Sequence, residues 1–155
     1  MIIVSSCLAG MKVRYNGTDC LHITIQKLLE DGRAISVCPE LLGGFQTPRE
    51  PAEIVGGNGY DVLDGNAMVM DKRKQDVTDA YIAGAYKTLD IAKQLDAKLI
   101  VLKENSPSCG SGFIYSGKFN GIKKEGVGVT TALLRRKGFE VVSEDQLTLE
   151  LLEGH

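Results

Sequence analysis

Four cysteines stand at positions 7, 20, 38 and 109 of this 155-residue chain. Among side chains, the thiolate is both a strong nucleophile and a soft metal ligand. Three of the four share a setting. Cys7, Cys38 and Cys109 each follow a short apolar run and sit among residues that suit a tight loop: Ala9-Gly10, Pro39 with Gly43-Gly44, and Pro107 with Gly110. Metal ligation fits this pattern. So does the plainer alternative, in which buried cysteines pack as small hydrophobes. No two cysteines lie within four residues of each other. That argues against a structural zinc, which is usually held by close ligand pairs, and against the clustered ferredoxin run. Three thiolates converging on a four-iron cluster would leave one iron without a protein ligand. An open iron is a Lewis acid suited to a soft atom such as sulfur. Cys20 and His22 form an isolated Cys-x-His pair, which reads as loop or core.

Residues near these cysteines carry further chemistry. Glu40, two residues beyond Cys38, could activate water or protonate a leaving group. It could equally bond nearby backbone N–H groups as a loop carboxylate. Ser108 could bond a substrate or a cluster sulfur, or simply serve the Ser-Pro-Ser turn. Arg14, Tyr15 and Asn16 make a polar loop able to hold a planar base by stacking and hydrogen bonds, with an ordinary exposed loop as the alternative. Arg49 is a candidate for a structural ion pair. Gly126-Val127-Gly128 ahead of a helix could cradle an anion with its N–H groups. No Gly-x-Gly-x-x-Gly follows the first strand, so a dinucleotide fingerprint is absent.

The elements that must position these residues alternate. Ile2-Ile3-Val4-Ser5-Ser6 reads as a buried strand and Ile23–Glu30 as an amphipathic helix stopped at Gly32. Ala34–Val37 is a second strand. A Gly/Pro-rich stretch, 43–65, reads as irregular loops with a hairpin turn near Leu63-Asp64-Gly65. A long helix is predicted over 76–96, with Val77, Tyr81, Gly84, Thr88, Ala92 and Leu95 on its buried face. Lys98–Leu102 is a third strand, Gly128–Lys137 a helix, and Phe139–Val142 a fourth strand. Ser143 and Gln146 make a capping box for a last short helix. Such alternation implies an α/β, three-layer, mostly parallel fold with helices on both faces. Ligands of such sheets bind beyond the C-terminal strand ends, where Cys7, Cys38 and Cys109 fall.

The length fits one domain over 1–155. A net charge of -2 lacks the usual signature of a nucleic-acid or anionic-membrane partner. Met1–Val4 is too short for a signal core, and no run approaches the roughly 20 apolar residues of a membrane span. The expectation is a cytoplasmic protein with reduced thiols and a small-molecule partner. Its oligomeric state is not fixed by the sequence.

Several segments together resemble one family. They are Ser6–Gly10 with Val13–Gly17; Cys38-Pro39-Glu40 with Gly43-Gly44-Phe45 and Pro48–Ile54; Leu102-Lys103 with Ser106–Gly110; Ile114–Phe119; and Gly126–Thr130. The family is the thiouracil desulfidase-like one, formerly a domain of unknown function. The resemblance implies a Rossmann-like domain holding a [4Fe-4S] cluster by Cys7, Cys38 and Cys109, with Cys20 outside the set. It also implies non-redox desulfurisation of a thiolated nucleobase or similar thioamide, in which the open iron takes the sulfur and water replaces it. Glu40 and Ser108 are then the catalytic candidates, and Arg14, Tyr15 and Asn16 the substrate loop. The competing expectation is a module that carries a cluster or sulfur without turnover.

Overall fold

A computed structural model describes residues 1–18 and 21–153. In chain order the elements are β1 (Ile2–Ser5), α1 (Ile23–Glu30), β2 (Ala34–Val37), α2 (Pro39–Leu42), β3 (Ala52–Val55), α3 (Gly59–Leu63) and β4 (Met68–Asp71). They continue with α4 (Thr78–Gln94), β5 (Leu99–Leu102), β6 (Phe113–Tyr115), β7 (Lys123–Glu125), α5 (Val129–Arg136), β8 (Val141–Ser143) and α6 (Leu149–Glu153). The Ser143/Gln146 capping box is present, but it caps a 3-10 turn, Glu144–Gln146, rather than the last helix.

The central sheet is fully parallel, in the order β2-β1-β5-β8. β1 and β5 are the inner strands and are buried at every residue. Strands covered on both faces read as unbroken apolar runs rather than alternating ones. The register sets Ile2 beside Leu99 and Ile3 beside Ile100, so side chains sort by parity onto two faces. Ile3, Ile100 and Leu102 pack with Tyr81, Ala85 and Leu89 of α4 and Leu133 of α5. Ile2, Val4, Leu99 and Val101 pack with Ile25 and Leu28 of α1 and Leu152 of α6. This is the expected three-layer α/β arrangement, and each such fully buried aliphatic side chain contributes about 1.5–3 kcal/mol.

The stretch expected to be irregular is ordered. β3 and β4 form an antiparallel pair in which Ile54 faces Val69, joined through α3 rather than by a hairpin turn at 63–65. α3 is only five residues long and is held by a capping box between Asn58 and Asp61, too short to show helical periodicity. β6 and β7 make a second antiparallel pair. The last sheet strand begins two residues later than expected, at Val141 rather than Phe139.

One close approach matters for the site. A Cβ at Gly84 of α4 would run into the Pro39 carbonyl of α2. Glycine here lets the two backbones touch, which brings the segment after Cys38 against the face of α4 that carries Tyr81.

Candidate active site

Three parallel strands deliver the three cysteines to one edge of the sheet. Cys7 follows β1, where Ser6 N–H still pairs with the Val37 carbonyl at 2.7 Å. Cys38 follows β2 and is the cap residue of α2. Cys109 lies in the loop after β5. Cys7 and Cys109 touch core residues on opposite faces of the sheet. Beyond its C-terminal edge, all three cysteines line one cavity of about 340 Å³. None is in a disulfide.

The Cys109 loop is fixed from two sides. Ser106 Oγ accepts hydrogen bonds from Cys109 N–H at 2.7 Å and Ser108 N–H at 3.2 Å. On the other side, the N–H groups of Gly128, Val129 and Thr130 donate to the carbonyls of Gly110, Pro107 and Ser108 at 2.8, 2.8 and 2.9 Å. A Cβ at Gly128 would collide with the Ser108 carbonyl. The expected anion cradle at Gly126-Val127-Gly128 is therefore corrected: the start of α5 holds the cysteine loop, and those donors are already used. Glu104 closes the loop's base by accepting the N–H groups of Ser111, Gly112, Asn105 and Phe113 at 2.7–3.3 Å. Burial would raise this carboxyl's pKa, but the backbone donors outweigh it and hold it below the usual value.

The thiols feel one another. Burial above all pushes the Cys109 thiol far up, and the negative charges of Glu40, Cys38 and Cys7 push the same way. Burial raises Cys38 as well, with Glu40 adding to it. Two thiols that resist ionisation, with Cys7 lining the same small space, favour a cationic guest that would neutralise their thiolates. Among the described residues, no three Cys, His, Asp or Glu side chains are placed to share one metal ion.

Glu40 lines the same cavity and is bound by two partners. Arg49 donates to its Oε2 from Nη2 at 2.9 Å and from Nε at 3.2 Å, and Tyr81 Oη donates to Oε2 at 3.1 Å. The ion pair is well buried, with 9% of the Arg49 side chain and 13% of the Glu40 side chain exposed. Breaking such a pair from one side costs about 3–5 kcal/mol. Burial first, then the Glu40 charge, lifts the Tyr81 phenol well above its ordinary value, so at neutral pH it is a donor. Arg49 thus does form the ion pair expected of it, inside the site.

The other expected residues divide. Arg14 and Tyr15 line the cavity. Asn16 does not: its Oδ1 accepts from the Thr18 N–H and hydroxyl at 3.2 and 2.5 Å, closing the turn behind Tyr15. Ser108 is 1% exposed and lies behind the cavity wall, its hydroxyl 2.8 Å from that of Thr130. Ser108 is thus placed against its neighbour Cys109, to which its side chain also hydrogen-bonds, rather than among the cavity-lining residues. Cys20 lies outside the described residues. His22 precedes α1, its Nδ1 buried without a partner, and it does not line the cavity.

Sequence reasoning missed Tyr115, Phe119, Glu53 and Lys103, which also line the cavity. Tyr115 and Phe119 arrive on the short β6–β7 unit. Glu53 fixes that unit by accepting Gly117 N–H at 2.8 Å and Phe119 N–H at 3.3 Å. For Tyr115 and Phe119 the only signal was the run from Ile114 to Phe119, and for Glu53 and Lys103 the segments Pro48–Ile54 and Leu102-Lys103, none of which carries metal-ligand or acid–base spacing.

The sequence pattern of the 2-thiouracil desulfurase family matches residues 2–146. The chain is 56% identical over 147 residues to the uncharacterized protein YbbK of Bacillus subtilis strain 168, covering 95% of this chain and 97% of YbbK. It is similar in structure to TudS, a [4Fe-4S]-dependent thiouracil desulfidase, with a TM-score of 0.87 and 43% identity over 99% of this chain and 97% of TudS. Among the described residues, no helix is long and apolar enough to cross a membrane.

Proposed function

The chain belongs to the 2-thiouracil desulfurase family, and from that premise we propose that it is a [4Fe-4S]-dependent desulfidase that replaces the sulfur of a thiolated nucleobase by oxygen. The observation that carries this reading is the convergence of Cys7, Cys38 and Cys109 on one cavity that Glu40 also lines. Three thiolates from these residues would hold the cluster. The bound cluster supplies an iron with no protein ligand, a Lewis acid for the thiocarbonyl sulfur.

The chain's own residues do the rest. Tyr15, Tyr115 and Phe119 offer aromatic surface for a planar ring near the cavity mouth. Glu40 accepts a proton from water as its oxygen bonds to the thiocarbonyl carbon. The carbon–sulfur bond then breaks, and sulfur leaves as sulfide with the protons of that water. Thiocarbonyl plus water gives carbonyl plus hydrogen sulfide, with no change in oxidation state and no external electron donor.

The test is turnover of 2-thiouracil by anaerobically reconstituted protein in ¹⁸O-water. The expected result is sulfide and uracil in equal amounts, without reductant, with the label in uracil. Sulfide release that requires a reductant, or unlabelled uracil, would overturn the hydrolytic reading.

A further inference from the structure

The two partners of Glu40 both bind the same oxygen. Tyr81 Oη, Arg49 Nη2 and Arg49 Nε all donate to Oε2. Among the described residues Oε1 has no hydrogen bond, nor is it one of the buried polar atoms left unpartnered. It is therefore open to the cavity that Glu40 lines. An arginine holding a carboxylate only for stability favours the fork, one N–H to each oxygen. The chain contains that arrangement too: Arg136 donates from Nη1 to Asp64 Oδ1 at 2.8 Å and from Nη2 to Oδ2 at 2.9 Å. At Glu40 the fork is given up, and three donors crowd one oxygen while the other is left facing the site.

Arg49 does more than hold Glu40. Its Nη1 donates to the Val13 carbonyl at 3.1 Å, and its backbone N–H donates to the Tyr15 carbonyl at 2.6 Å. It thus ties the carboxylate to the loop that presents Arg14 and Tyr15. Tyr81 is 3% exposed and its ring packs against Phe45, centroids 5.0 Å apart. The ring is fixed by packing, and its hydroxyl donates to Glu40.

We propose that Tyr81 and Arg49 are positioning residues for the reaction: they clamp Glu40 through Oε2 so that Oε1 meets the attacking water in one orientation. The proposal rests on the reading of Glu40 as the base. Misplacing a catalytic group by a fraction of its contact distance slows chemistry without weakening binding.

Tyr81→Phe keeps the ring and removes one donor. The expected result is a kcat about ten- to a hundredfold lower with KM unchanged within about twofold. Iron content and visible absorbance after reconstitution stay at wild-type values, and a crystal structure of the cluster-free variant shows the Glu40 carboxylate displaced. In a Glu40→Gln background, Tyr81→Phe adds no further loss. Arg49→Lys provides the second reading, with kcat lowered and KM raised because it also releases the Val13 carbonyl. Wild-type kcat in Tyr81→Phe with Glu40 unmoved, while Glu40→Gln is slowed to a small residual turnover, overturns the clamp and leaves the base in place. Full turnover by Glu40→Gln overturns the base, and the clamp with it.

Discussion

The hydroxyls of Ser108 and Thr130 lie 2.8 Å apart in a fully buried contact between the Cys109 loop and the first turn of α5. This contact, with the three backbone bonds beside it, sets where the third cysteine stands. Ser108→Ala leaves the Thr130 hydroxyl without that partner and is expected to cost about 1–3 kcal/mol of stability. Because Ser108 does not line the cavity, KM for a thiolated base should stay at the wild-type value. Denaturant unfolding and steady-state kinetics check the two parts; a raised KM with unchanged stability would restore Ser108 to the substrate.

Gly84 makes a second prediction. Gly84→Ala places a methyl against the Pro39 carbonyl and must push α2 from α4. Overpacking of this kind costs about 1–3 kcal/mol. Since α2 carries Glu40 and α4 carries Tyr81, kcat should fall together with stability, whereas an alanine at exposed Tyr86 of the same helix should change neither appreciably. Melting temperatures and turnover of the two variants make the comparison.

Acid sensitivity follows from Glu104. Its carboxyl is held below the ordinary value of 4.5. A group whose folded value is lowered contributes its full stabilisation above the ordinary value and loses it as pH falls through the lowered folded value. Stability measured from pH 6 down to about pH 3 should therefore decline in part through this group, and Glu104→Gln should flatten that decline. An identical acid profile in the variant would mean that the carboxylate does not hold the loop.

Much of this was legible in the sequence. β1 and β5 announce themselves because burial on both faces demands unbroken apolar residues, and the cysteines then fall at strand ends whose common edge follows from parallel pairing. The α4 face was readable by period, and it marked Tyr81 as buried. That the phenol reaches Glu40, 41 residues away, has no local signal, because the pairing depends on α2 packing against α4. The β3–α3–β4 region was hidden for another reason. Its strands are four residues each and its helix five, below the length at which periodicity separates from noise. Asn16 had no signal to separate it from Arg14 and Tyr15, because a polar loop residue reads the same whether its side chain meets a ligand or closes a turn, as it does here on Thr18.

Tyr15, 40% exposed at the cavity mouth, offers a face on which a flat base can stack. Stacking on an aromatic side chain is worth about 1–3 kcal/mol per base. Tyr15→Ala should raise KM by about tenfold or more with little change in iron content, and Tyr15→Phe should stay near wild type. The backbone bond from Arg49 N–H to the Tyr15 carbonyl is untouched by either change. An unaltered KM in Tyr15→Ala would remove this residue from the substrate site.

The central claim is that three cysteines hold one cluster on which turnover depends. Its most direct measurement is iron and acid-labile sulfide per chain after anaerobic reconstitution, read beside sulfide release from 2-thiouracil, for the wild type and for Cys38→Ala. The account predicts about four irons and four sulfides in the wild type, with loss of the cluster and of turnover in Cys38→Ala. Full turnover by Cys38→Ala, or a wild-type protein that takes up no iron yet releases sulfide, would contradict it.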